Sequence, residues 1–230
     1  MDNIFSKTTQ RAGITKCIRC GTCCKKGGPS FHLEDQELIE KGFIPAKYIY
    51  TIRKGERFYD NIKECLLPAS SDILKLKGQK DSWTCVFFNE KNSDCTIYDH
   101  RPMECRTLKC WDTEDIEKIY AENRLTRKDL ISSVEGLWEL VESHQARCAY
   151  DILTRYVDAL KKSSREKPLL KGILDLIEYD INIRELVVQK AGLDPELTDF
   201  LFGRPITETL RIYGIKIKKE EGKYILIPIR

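Results

Sequence analysis

The sequence predicts a mainly α molecule of the α+β kind, in which an irregular cysteine-rich region gives way to helices and a small C-terminal β-hairpin. Three observations carry that expectation. Nine of the ten cysteines precede Trp111; Pro45, Gly55, Pro68 and Gly78 punctuate a stretch without clear periodicity; and regular apolar spacing sets in only from Asp112 onward. Two units follow from this, 1–111 with the cysteines and 112–230 with the helices and hairpin.

In the first unit, Leu33 to Lys41 reads as a short helix. Glu34 and Asp35 fill its first turn, where the partial positive charge of a helix N-terminus favours acids, and Gly42 follows its end. Phe58 to Ile62 and Trp83 to Phe88 read as short strands. So loop-rich a region is expected to bury little core by itself, which makes a bound metal part of its folding free energy.

In the second unit, Thr126 suits an N-cap with Asp129 three residues on. The positions Leu130, Val134, Leu137, Val141, His144 and Cys148 recur at spacings of four and three, which predicts one helix face. His144 and Cys148 then stand one turn apart, a spacing at which two ligands share a metal; as members of an apolar stripe they read as core. Trp138, Tyr150 and Tyr156 also read as core. A further helix spans Pro168 to Lys190 with Gly192 past its end, and Pro195 opens a short one ending near Gly203. Alternation from Ile215 to Ile217 and from Tyr224 to Ile229, around a Glu-Glu-Gly turn, predicts the terminal hairpin, with Pro228 on an edge.

A hydrophobic share of 41% over 230 residues supports a packed core, whereas a net charge of +3 without a basic stripe interleaved with aromatics argues against nucleic acid as a partner. No apolar run is long enough to cross a membrane. Met1 to Thr15 lacks an apolar h-region, so the expected location is cytoplasmic, a reducing compartment in which clustered cysteines read as metal ligands rather than disulfides. Dinucleotide, P-loop, zincin and serine-hydrolase motifs are all missing.

The chemistry concentrates in Cys17-Ile18-Arg19-Cys20-Gly21-Thr22-Cys23-Cys24. Two residues between cysteines let the backbone turn so that both sulfurs face one centre, a geometry common to zinc knuckles and iron–sulfur loops. Gly21 suits the turn, since it reaches positive φ without a Cβ clash. Neighbouring side chains of an extended backbone point to opposite faces, so Cys23 and Cys24 are expected to serve different metals or different corners of a cluster. Cys85, Cys95, Cys105 and Cys110 bring a second set of sulfurs. Together the two sets exceed what one tetrahedral site can hold, and more than four cysteine ligands are expected. The run Cys17, Cys20, Cys23 matches the three-thiol opening of ferredoxin loops but continues into Cys24 with no Cys-Pro. Arg19, Lys25, Arg101 and Arg106 flank the sulfurs and would offset thiolate charge.

With the second segment, Cys85 to Cys95 and then Tyr98-Asp-His-Arg101-Pro102-Met-Glu-Cys105-Arg106, the pattern resembles the YkgJ-type cysteine-cluster family, proteins with a zinc- or iron-chelating domain, over about Lys16 to Lys109. The resemblance implies metal or cluster binding at Cys17, Cys20, Cys23, Cys24, Cys85, Cys95 and Cys105, supported by Tyr98, Arg101, Pro102 and Arg106. Flagellin lysine N-methylases look like users of the same pattern, so the resemblance leaves an enzymatic role open. The expected function is metal binding, by an iron–sulfur cluster (4Fe–4S) or Zn2+, in a redox or accessory role. The alternatives are an iron–sulfur-dependent protein methyltransferase acting on a protein substrate, and a zinc-stapled module that binds a protein partner. Cys65, outside both segments, reads as a small apolar residue or a lone nucleophile.

Overall fold

The computed structural model describes residues 17–80, 82–109, 111–162, 167–220 and 223–228. It is α+β: helices dominate, and four small antiparallel strand pairs accompany them. The first half is more regular than its loop signals suggest. A 3₁₀ turn at Leu33–Asp35 runs into α1 (Gln36–Glu40), with the backbone N–H of His32 donating to Asp35 at 3.1 Å as a capping box. β1 (Ile49–Ile52) pairs with β4 (Ile73–Leu76), and the hairpin of β2 (Arg57–Asp60) and β3 (Cys65–Pro68) is nested between them. A third pair, β5 (Phe88–Asn89) and β6 (Asp94–Cys95), lies in the second cysteine segment.

The strand expected over Trp83 to Phe88 is therefore reduced to its last residue. Gln79 explains this, because its side-chain amide donates to the carbonyls of Cys85 and Phe88 and holds the chain between them in turns. β1 and β4 give no period-two signal, since Thr51, Ile52, Ile73 and Leu74 are all buried and both faces of the pair are covered.

After the cysteines come α2 (Met103–Thr107), α3 (Glu114–Ile119), α4 (Arg127–Ile131), α5 (Leu137–Arg147), α6 (Tyr150–Lys162), α7 (Lys167–Ala191), α8 (Thr198–Phe202) and α9 (Ile206–Thr209). The hairpin of β7 (Ile215–Glu220) and β8 (Lys223–Pro228) closes the chain, with Pro228 opposite Ile215. Thr126 and Asp129 form the expected capping box on α4. The stripe from Leu130 to Cys148 is not one helix, however. Gly136, at φ 73, breaks it into α4 and α5, and Val134 at the break is 46% exposed.

The main core crosses residue 111. Phe31, Ile44, Ile49, Leu74, Leu76 and Phe88 pack with Leu125, Val141, Phe200 and Phe202 from the second half. A fully buried side chain of this kind contributes about 1.5–3 kcal/mol, so the cysteine-rich region buries far more core than its loop signals imply. α8 packs on β1, where the Thr51 hydroxyl donates to the Phe200 carbonyl at 2.6 Å. A second core joins α6, α7 and α9 through Leu153, Val157, Ile173, Ile177 and Ile206. Tyr150 is buried there, Tyr156 is partly buried against it, and Trp138 is partly buried against the first core. Among the described residues no helix is long and apolar enough to cross a membrane.

His144 and Cys148 are core residues. The Cys148 thiol donates to the Leu176 carbonyl at 3.7 Å, and His144 Nε2 donates to Asp180 at 2.8 Å. Desolvation lowers the His144 pKa from 6.5 to about 4, against the opposing pull of Asp180, so the folded histidine is neutral at pH 7. The unfolded chain takes up this proton near its ordinary pKa. The contribution of His144 is thus fully present above pH 6.5 and is lost as pH falls toward about 4. Urea unfolding of His144→Gln beside the parent is expected to show the difference in stability shrinking across that window. A constant difference would mean that the ring does not titrate in the fold.

Candidate metal centre

The first knuckle is a turn built on Gly21. Its φ of +73 suits glycine, and a Cβ there would lie 2.2 Å from the Phe88 ring, so both conformation and space exclude a side chain. The chain then enters a 3₁₀ turn, Cys24–Lys26, with the Lys25 N–H donating to the Gly21 carbonyl at 2.9 Å. Cys23 is helical, at φ −67 and ψ −40, rather than extended. The opposite-face expectation for Cys23 and Cys24 therefore fails, and their sulfurs stand 4.0 Å apart. Cys17 and Cys20 are exposed; the Arg19 N–H donates to the Cys17 sulfur at 3.4 Å, and Cys20 Sγ is 3.3 Å from the Thr22 hydroxyl.

The second segment is tied directly to the first. The Cys85 N–H donates to the Cys24 carbonyl at 2.7 Å, and Cys95 sits opposite Phe88 in the β5–β6 pair. Arg101 donates from Nε to the Tyr98 carbonyl at 2.7 Å and lies 3.6 Å from the Tyr98 ring centre, while Arg19 covers the same ring at 4.4 Å. Pro102 caps α2, which carries Cys105, and its carbonyl accepts from the Arg106 N–H. Arg106 is 3.6 Å from Asp35, and Asp35 also accepts from the Met103 N–H at 2.8 Å. Glu104 accepts from the Ser30 N–H at 2.6 Å and pairs with His32 Nε2 at 3.5 Å. These anchors, Asp35, His32 and Glu104, have no motif of their own; the one sequence hint is that Glu104 adjoins Cys105.

Electrostatics bring five thiols into one neighbourhood. Burial raises Cys105 well above the usual thiol range, and the charges of Cys85, Glu104, Cys23 and Cys95 push it the same way. Burial likewise raises Cys85 and Cys95, each of which also feels Cys23. A hydrogen bond from the Cys24 thiol lowers Cys23 to about 6, with Arg101 adding to the effect, and raises Cys24 in return. Deprotonating these sulfurs together would set their charges against one another, a repulsion that a bound cation relieves. Among the described residues no three Cys, His, Asp or Glu side chains stand close enough to share one ion as placed, so the fit rests on donor chemistry: soft sulfur donors suit zinc and iron. Cys110 lies outside the described residues. Cys65 is exposed on β3 and Cys148 is buried in the second core, both apart from this group.

Residues 16–124 match a family described as "CxxCxxCC: Putative zinc- or iron-chelating domain". No curated protein and no solved structure matches the chain. The matched stretch takes in both cysteine segments, the Glu104 and Asp35 anchors, and the strands packed between them. Over residues 16–124, just under half of its length, this chain is thus similar to the domains described in those words.

Proposed function

We propose that the chain binds an iron–sulfur cluster, 4Fe–4S in type, and serves a redox or accessory role from a cytoplasmic location. Cys17, Cys20, Cys23, Cys24, Cys85, Cys95 and Cys105 are the ligand candidates within the described residues, with Cys110 beyond them. The observation that carries this reading is the electrostatic grouping of Cys23, Cys24, Cys85, Cys95 and Cys105, which draws sulfurs from both segments. Iron–sulfur is proposed ahead of zinc because Cys17, Cys20 and Cys23 repeat the three-thiol spacing that opens ferredoxin loops, with a fourth thiol supplied from the second segment. A bound cluster would supply one-electron chemistry or a structural staple. The protein's own part is to fix the loops through Gln79, Asp35 and Glu104, and to place Arg101 where it offsets charge at Cys23 and Cys95. In this proposal residues 1–111 hold the chemistry, and 112–230 brace it through the shared core or present a face to a protein partner.

Anaerobic purification followed by an absorption spectrum and analysis for iron, sulfide and zinc tests the reading. Brown protein with acid-labile sulfide is expected; colourless protein with stoichiometric zinc would replace it with the zinc form. Either metal must displace protons, because Cys24, Cys85, Cys95 and Cys105 have thiol pKa values raised above the ordinary 9.0. Zinc titration at neutral pH in weak buffer is therefore expected to release acid, with affinity rising with pH. Uptake without proton release would show that the sulfurs are not the ligands.

A further inference from the structure

The anchor that pins α2 sets two requirements of the centre against each other. Glu104 directly precedes Cys105, and its charge adds to the burial that already opposes a thiolate at that sulfur. Protonation does not remove the conflict. Burial disfavours the Glu104 carboxylate, yet His32, Lys75 and the Ser30 N–H together hold its pKa below the ordinary value, so it is charged at neutral pH. A sulfur that must carry negative charge to ligate thus stands beside a carboxylate that the fold needs.

Lys75 meets both. It lies on β4, bridged antiparallel to Ser30; its ammonium donates to the Ser30 hydroxyl at 3.3 Å, and the Ser30 N–H donates to Glu104 at 2.6 Å. One serine joins the two charges. Burial, Arg124 and Arg204 disfavour the ammonium, whereas Glu104 and Cys105 favour it. Other cations are near: Arg204 is engaged by Glu56, His32 is shared between Glu104 and the Glu122 carbonyl, and Arg124 is within electrostatic reach of Glu104. Lys75 is singled out by the pull of Cys105 itself. We propose that Lys75 is a positioning residue of the cysteine centre, its ammonium offsetting the Glu104 carboxylate so that Cys105 ligates as thiolate. The inference rests on the reading of Cys105 as a ligand, but not on which metal is bound. A cation there favours metal binding, and in a cluster it also favours the reduced state, because reduction adds negative charge.

Redox titration of the cluster-loaded full chain, followed by absorption, compares the parent with Lys75→Met, Glu104→Gln and the double variant. Lys75→Met is expected to lower the reduced-to-oxidised ratio at a fixed potential about tenfold, a midpoint about 59 mV more negative for one electron. Glu104→Gln keeps an acceptor for the Ser30 N–H, loses the negative charge and should shift the midpoint the other way. The double variant should return close to the parent, a cancellation that two losses of packing would not give. If the chain loads zinc alone, the cluster reading fails and the inference is judged by chelator competition: Lys75→Met should bind zinc about tenfold more weakly, with the double variant again near the parent. A chain that loads neither metal overturns both. An unmoved midpoint or zinc affinity in folded Lys75→Met, or shifts of one sign in both single variants, would overturn the role of Lys75 alone. Should Lys75→Met fold poorly, the positive shift of Glu104→Gln decides.

Discussion

Serine in place of Cys105 is expected to strip the centre of metal and to destabilise the fold with it. Cys105 lies within the influence of Cys23, Cys85 and Cys95, on a helix pinned to the first segment through Glu104 and Asp35. Structural zinc contributes on the order of 10 kcal/mol to small domains, and a hydroxyl is a poor substitute for thiolate sulfur. Serine at Cys23 or Cys85 should act in the same direction. Cys65→Ser and Cys148→Ser should keep their metal, although Cys148→Ser puts a hydroxyl in the second core and should lower stability alone. Metal per folded chain, measured across the whole series, decides the ligand number. If only four replacements reduce it, one tetrahedral site suffices and the expectation of more than four cysteine ligands is wrong.

Asp180→Ala is expected to cost about 3–5 kcal/mol, the range for breaking a buried ion pair by removing one partner. Asp180 is fully buried and accepts from His144 Nε2 at 2.8 Å, Arg184 Nε at 3.1 Å and the Ile206 N–H at 3.0 Å. Its loss leaves the Arg184 guanidinium in the interior with only the carbonyls of Phe202 and Gly203 and a weak pairing to Asp199. For a chain of this length that corresponds to a drop in Tm of roughly 10 °C. Asp180→Asn should cost less, since it keeps the shape and an acceptor. Metal per folded chain should not change in either variant, because Asp180 joins α7 to α5 and α9, and the thiol it influences is Cys148, outside the candidate ligands. A loss below about 1 kcal/mol, the range of exposed ion pairs, would show that water screens the network.

The contrast between these two sites follows the range of the interactions involved. The C-x2-C-x2-C-C knuckle, the Thr126–Asp129 capping box, the long helix α7 and the terminal hairpin were legible because each is specified by residues a few positions apart. The same locality misled where one local rule was extended too far. An apolar stripe continued across Gly136, and an extended backbone was expected at Cys23 where the chain turns. The β1–β4 pair was invisible, since strands buried on both faces do not alternate and their pairing closes over an intervening hairpin.

The sequence by itself determined the candidate sulfur donors, their grouping into two segments, and the gathering of the longer helices after Trp111. Only the tertiary structure decided that the core crosses that point, that Glu104 and Asp35 anchor the second segment, and that His144 is held by Asp180. Those pairings join residues far apart in the chain. No spacing encodes them, because what selects them is the cost of leaving a buried charge or N–H without a partner, and that cost arises only once the chain has packed.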